Sequence, residues 1–297
     1  MKIELFPPLS IHEIGKREKQ EDALAQWNNR LFVLCDGMGG HERGEVASQT
    51  VCLSLVKWFD DNITGNSFTD DQLGASLEYA YTELDKFNGN SPRKMGTTLT
   101  LLYIHAHGVT AAHIGDSRIY HIRPNVGILY QSRDHSLATE LFQAGEITYE
   151  EMLNHPKKNI VTRAMMPGIE NRMHPDIIHI TDIQNGDYFY MCSDGMLEAM
   201  SNQELVSILS SNETDIEKRN RLVERTKESQ DNHSAWILHV KSMTKEHCDE
   251  TLPNEELTAR CNVMTSMSEF VCQEDEVVIV NEEKNSLIQR IKNLIRN

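Results

Sequence analysis

Leu31-Phe32-Val33-Leu34-Cys35-Asp36-Gly37-Met38-Gly39-Gly40 is an apolar run that ends on a carboxylate and a cluster of glycines. An unbroken run of this kind reads as a buried strand, and the glycines after it as a sharp stop. A carboxylate at that junction is held at the end of a stiff element, with backbone carbonyls beside it. Such a platform suits a hard, oxygen-seeking cation. Asp-Gly is also the ordinary signature of a hairpin turn, and this stretch alone leaves both readings open. The arrangement occurs a second time, where Tyr188-Phe189-Tyr190-Met191-Cys192-Ser193 runs into Asp194-Gly195-Met196. Two strand-end aspartates converge on one site if their strands lie side by side or face each other.

Further carboxylates are delivered in the same way. Ala47, Val51, Leu55 and Trp58 make one apolar face of a helix from Glu42 to Phe59. A second helix follows a cap region at Thr69-Asp70-Asp71, with Leu73, Leu77, Ala80, Leu84 and Phe87 on its buried side. Strands are expected over 95–104, 108–114 and 118–122, with Gly115-Asp116-Ser117 as the tip of a tight hairpin between the last two. Mixed polar sequence from Ser132 to Arg163 predicts a helix over 136–144 and then a mobile connection of the kind that faces substrate. Beyond it come a strand over 176–183, helices over 202–209 and 215–229, and a strand from Ala235 to Val240 headed by Asp231. Residues 1–16 show little periodicity and are broken by Pro7-Pro8. The charged stretch Gly15–Asp22 is a solvated loop or, on a sharper reading, presents Arg17 to an anion and Glu21 and Asp22 to a cation.

At 297 residues the chain holds one large domain or two small ones. A net charge of -16, with no dense basic stripe, excludes nucleic acid as a main partner. The six cysteines form no CxxC pair, which points to a reducing compartment rather than a disulfide framework. The N-terminus has no secretion-type stretch and no run reaches the ~18 apolar residues of a membrane span, so a cytoplasmic protein is expected. The division expected is a catalytic domain over 1–240 and a tail over 241–297 that is regulatory, docking or partly disordered. In the tail Leu287, Ile288, Ile291, Leu294 and Ile295 outline a short amphipathic helix, too short to be stable undocked. Its His247, Cys248, Cys261 and Cys272 are too irregularly spaced for a zinc framework.

Four aspartates, Asp36, Asp116, Asp194 and Asp231, thus border predicted strands. Carboxylates without histidine or thiolate partners favour Mg2+ or Mn2+ over zinc or copper. Several carboxylates with an arginine for an anion suit phosphoryl chemistry, in which a site must neutralise charge and activate water.

The ordered set Arg17-x-x-x-Glu21-Asp22, Asp36-Gly37-Met38-Gly39-Gly40, Gly96-Thr97-Thr98, Gly115-Asp116-Ser117-Arg118, Asp134-His135-Ser136, Ser193-Asp194-Gly195 and Asp231-Asn232 resembles the metal-dependent protein phosphatases of the type 2C class. The bacterial branch is the nearest likeness, through Asp-Gly-Met-Gly-Gly-His and Asn159-Ile160-Val161-Thr162-Arg163. The resemblance covers roughly residues 10–240 and implies an α+β fold, two packed antiparallel sheets flanked by helices, with metals at one edge. It implies that Asp36 bridges two Mn2+ or Mg2+ ions, that the Gly37 carbonyl binds one of them, and that Asp194 and Asp231 complete the other. Asp116 with Asp194 would hold a third. Glu21 and Asp22 would act through metal-bound waters, Asn232 would support the ligands, and Arg17 would grip the phosphate. Arg17, Asp22 and Asp36 are thereby placed nearest the chemistry, attack of a water bridging the ions on phosphoserine or phosphothreonine. The implied partners are phosphorylated proteins and an opposing Ser/Thr kinase, the protein itself being a monomer. Two positions depart from the animal enzymes, Met38 where they carry a histidine and Gln20 where the family has asparagine.

A silent adaptor on the same scaffold, binding phosphorylated partners without hydrolysis, is the alternative. Such proteins lose metal aspartates, and this chain retains the whole set. A calcium-binding structural domain lacks the EF-hand spacing.

Overall fold

Strand alternation decides the layers. In the computed structural model, which describes residues 1–39, 43–87 and 95–244, the strand β4 (Leu31–Met38) has protein on both faces. Its Leu31, Val33 and Cys35 pack with Val51, Leu55 and Phe59 of helix α1 (Arg43–Asn62) and with Leu73 and Leu77 of α2 (Asp70–Asp85). Its Phe32 and Leu34 face the opposite way, onto Phe189, Met191, Trp236 and Leu238. The unbroken apolar run therefore reflects a strand covered on both sides.

The described residues all belong to the compact unit Met1–Lys245. The remaining strands in chain order are β1 (Lys2–Leu5), β2 (Leu9–Glu13), β3 (Asp22–Trp27), then after α2 β5 (Gly96–Thr97), β6 (Leu99–His105), β7 (Gly108–Ile114), β8 (Arg118–Arg123) and β9 (Gly127–Gln131). Helices α3 (Leu137–Gln143) and α4 (Tyr149–Leu153) precede β10 (Asp176–Ile180) and β11 (Tyr188–Cys192). A 3₁₀ turn (Asp194–Met196), α5 (Asn202–Leu209), α6 (Asp215–Thr226) and β12 (His233–Thr244) complete the unit. One sheet has the order β1-β12-β11-β8-β9, with β2 also on β12; the other has the order β10-β7-β6-β4-β3, with β5 on β4. Tyr188, Tyr190 and Cys192 of β11 pack outward against Leu205, Ile208 and Leu222 of α5 and α6. The result is the expected α-β-β-α sandwich, with β4 and β11 delivering Asp36 and Asp194 from facing sheets. Trp236 locks the two together, donating from Nε1 to the Val33 carbonyl at 3.0 Å.

Helix starts follow local rules. Thr69 with Gln72, Ser201 with Glu204 and Thr214 with Glu217 each form a capping box that satisfies otherwise orphaned amides.

Several expectations are corrected. Gly115-Asp116-Ser117 is not a hairpin tip, because β7 and β8 belong to different sheets. The chain crosses between layers at Gly115, whose φ of +107° supplies the bend. Phe87 lies beyond α2 and is exposed rather than buried. The 95–104 strand is broken at Thr98, and β1, β2, β9 and α4 arise where no periodicity announced them. Strands β1 and β2 form by adding end to end along β12, Lys2 opposite Thr244 and Glu13 opposite His233. Strand β12 thus continues to Thr244, so position 240 falls inside it. The predicted tail helix, the tail cysteines and Gly40 lie outside the described residues.

One buried charge reports on acid stability. Asp187 is fully buried and accepts from His121 Nε2 at 2.9 Å, Arg123 Nε at 2.8 Å and the Gln184 amide at 2.8 Å. Burial works to raise its pKa, but these donors prevail and hold it at about 2, below the ordinary 3.8. A depressed folded-state pKa contributes stability that is present above about pH 4 and is lost as pH falls toward 2. Asp187→Asn should therefore flatten the acid limb of a melting-temperature profile between those values, and an unchanged limb would disprove the coupling.

Candidate metal centre

Pairing of β3 with β4 places Asp22 directly opposite Asp36. The Asp36 amide donates to Thr98 Oγ1 at 2.9 Å, and its carbonyl accepts from the Thr98 amide at 2.8 Å and Thr97 Oγ1 at 2.9 Å. Its backbone is thus fixed by the Gly96-Thr97-Thr98 stretch. Gly37 is required by close approach: a Cβ there would stand 2.1 Å from the Gly44 carbonyl oxygen, where α1 begins. The Gly37 amide donates to the Glu21 carbonyl at 3.0 Å, which also accepts from Ser48 Oγ at 2.5 Å.

Asp194 arrives from the facing sheet. Beside it Ser193 Oγ donates to Asp22 Oδ2 at 2.8 Å and accepts the Ser234 amide at 3.0 Å, joining β3 to the β11–β12 pair. A Cβ on Gly195 would meet the Asn232 carbonyl oxygen at 2.1 Å, so this glycine lets the Asp194 turn and the Asp231 loop touch. Asn232 ties that loop to the N-terminal segment. Its Oδ1 accepts the Glu21 amide at 2.7 Å, while Nδ2 donates to the carbonyls of Ile14 at 2.8 Å and Lys19 at 2.9 Å. Gln20 fills its departed position as an acceptor, taking the Asp22 amide at 3.0 Å. Asp231 Oδ2 accepts from Arg17 Nη2 at 2.5 Å.

Asp116 enters from the sheet-to-sheet crossover. Gly115 presses on Thr98, where a Cβ would come 2.6 Å from Thr98 Cγ2, and Thr98 Oγ1 lies 2.8 Å from Ser117 Oγ. Thr98 therefore braces both Asp36 and the Asp116 turn.

The carboxylates feel one another. Burial, then Asp22, Asp194, Asp116 and Asp231, push the Asp36 carboxyl well above the ordinary range. Burial first, with Asp194 and Asp231 adding to it against hydrogen bonds from Ser234 and Ser193, lifts Asp22 to about 7. Burial with Asp194 and Asp134 lifts Asp116 to about 8, and burial with Asp231 and Glu198 lifts Asp194 to about 6. Glu21 is raised chiefly by burial. Gathered acids of this kind cannot all ionise unless positive charge joins them. Asp22 Oδ1 and Asp194 Oδ1 are buried without a hydrogen-bond donor. Unfilled acceptors and excess negative charge in an all-oxygen set fit hard divalent cations.

All the predicted aspartates are brought to one end of the sandwich, with Arg17 about half exposed beside them. Sequence reading did not find the supporting contacts of Ser193, Gly44, Ser48 and Thr98. Ser193 and Thr98 stood within quoted motifs, but their partners lie on other strands, so no local signal could give their tasks. Chemically, carboxylates from both sheets with a guanidinium beside them could hold hard cations and an anion such as phosphate.

Comparison with known proteins agrees. A protein phosphatase 2C sequence profile matches residues 12–231. Protein phosphatase PhpP of Streptococcus pneumoniae is 35% identical over 204 residues, covering 66% of this chain and 80% of that protein. The serine/threonine phosphatase structure from S. agalactiae superposes with a TM-score of 0.71 at 30% identity, covering 79% of this chain and 99% of that one. The catalytic domain of serine/threonine protein phosphatase PstP, solved with two manganese ions, has a TM-score of 0.66 at 27% identity, covering 80% and 99%. This chain belongs to the protein phosphatase 2C family.

Proposed function

We propose that this enzyme hydrolyses phosphoserine and phosphothreonine on proteins with Mn2+ or Mg2+ held by Asp36, the Gly37 carbonyl, Asp194 and Asp231, and a further ion by Asp116 with Asp194. The observation that carries this reading is the convergence of buried, mutually repelling carboxylates from both sheets beside a half-exposed arginine. When bound, the ions supply charge neutralisation and a water acidic enough to attack phosphorus. Arg17 spends one Nη2 hydrogen on Asp231 and has further guanidinium hydrogens for a phosphate, whose fork geometry they match. Asp22, anchored through Oδ2 by Ser193, keeps Oδ1 to accept from water that enters with the ions. Glu21 acts in the same way, and Asn232 holds the 14–21 segment against the Asp231 loop. Met38 has no proton to donate to a leaving group.

We assign catalysis to the unit that ends with β12 and leave the tail as a regulatory or docking appendage. Among the described residues no helix is long and apolar enough to cross a membrane. We assign the protein a cytoplasmic signalling role as a monomer opposing a Ser/Thr kinase. No observation favours a silent adaptor. Hydrolysis of a phosphothreonine peptide should appear as Mn2+ is added and vanish on chelation. A folded protein with no turnover across a full Mn2+ and Mg2+ titration would defeat the assignment.

A further inference from the structure

One histidine grips the residue before Asp116 at both of its backbone polar groups. The His135 amide donates to the Gly115 carbonyl at 2.9 Å, and the Gly115 amide donates to His135 Nδ1 at 3.0 Å. A backbone amide can only donate, so Nδ1 carries no hydrogen and the ring proton of neutral His135 is on Nε2. That Nε2 lies 3.2 Å from Asp176 Oδ2, at the start of β10. The other Asp176 oxygen accepts from Arg163 Nη1 at 3.1 Å. Behind the buried ring, His113 stacks at 4.7 Å and 13°, its own Nε2 donating to the Arg133 carbonyl at 2.8 Å.

His113, His135 and Asp176 are close enough to suggest another metal site. Two features argue otherwise. Stacked, nearly parallel imidazoles send their lone pairs out along separate planes rather than to one point. The Arg163 guanidinium also stands at the trio as a cation, 3.4 Å from His135 Nε2. The geometry is that of a hydrogen-bonded orienting chain, in which a carboxylate sets the tautomer of a histidine.

We propose that Asp176 is a positioning residue for Asp116: it keeps His135 in the Nε2–H tautomer, so that the bare Nδ1 pins the Gly115 amide and sets how Asp116 is presented. This rests on the reading of Asp116 as an ion ligand. Without Asp176 the ring can take its other tautomer, which turns an N–H against the Gly115 N–H and breaks the grip. Loss of a partner bonded directly to a ligand typically weakens metal binding by about 10–100-fold, and Asp176, acting through His135 and Gly115, should fall near the low end of that range.

The test uses the full chain, with histidine tautomers read by NMR on nitrogen-labelled protein and Mn2+ requirement read by titrating both binding and turnover. In Asp176→Ala, His135 should lose its pure Nε2–H signature, and half-saturation should need about tenfold or more additional Mn2+. His135→Asn offers Oδ1 in the place of Nδ1 and has no tautomer to set. In that background Asp176→Ala should change nothing further. An unchanged His135 spectrum in Asp176→Ala, or an equal shift in both backgrounds, would overturn the proposal, the second outcome marking a general structural effect. Asp116→Ala separates the two levels. A Mn2+ shift in Asp116→Ala with none in Asp176→Ala overturns the proposal alone, whereas a shift in Asp176→Ala with none in Asp116→Ala overturns both the ligand reading and the proposal.

Discussion

Asp36→Asn should abolish Mn2+-dependent hydrolysis of p-nitrophenyl phosphate while the protein remains folded. The amide has nearly the same shape, and the bonds from Thr97 and Thr98 that fix this residue go to its backbone and survive. What disappears is the charge and one strong oxygen ligand at the centre of the carboxylate group. The loss should exceed the roughly 10–100-fold expected for an outer partner of a ligand. Stability in chelator should hold or rise, because Asp36 is pressed on by Asp22, Asp194, Asp116 and Asp231 and the substitution relieves that repulsion. Near-normal turnover in the variant would sink the assignment. Lost turnover with a lower melting temperature would point to a structural fault in its place.

Trp236→Ala should be the costliest core substitution for stability, by about 3–5 kcal/mol. The indole fills the layer between the sheets, meets Phe32 edge-on at 5.4 Å and bonds the Val33 carbonyl of the strand that carries Asp36. Removing it leaves a cavity and also strips the indole hydrogen bond that spans the layers at this point. At roughly 2–4 °C per kcal/mol for a domain of this size, the melting temperature should drop by about 10 °C. Trp236→Phe should cost less, since it refills most of the volume and forfeits the hydrogen bond. A melting temperature within 2 °C or so of the parent in Trp236→Ala would show that the layers repack without it.

Much of this protein was legible without coordinates, and for a common reason. The runs Leu31–Cys35 and Tyr188–Cys192, the cap region at Thr69, and the aspartates beside glycines are all signals carried by neighbours in the chain. They settled the type of most elements, the α+β class and the set of acids from which a metal centre could be built. What the chain could not announce was which distant residues touch. The Gly115 bend looks like a hairpin tip because a glycine at positive φ serves equally for a turn within a sheet and for a crossing between sheets; only the partners of β7 and β8 distinguish them. Strands β1 and β2 have weak patterns and exist because β12 offers them an edge that runs on to Thr244. The need for glycine at Gly37 and Gly195 comes from backbone approaching backbone across the fold, Gly44 in one case and Asn232 in the other. The bond from Ser193 to Asp22 and the hold of His135 on Gly115 are of the same kind. Local sequence chose the acids, and the packing of two sheets decided which way they face, because orientation depends on contacts between segments that have no nearness along the chain.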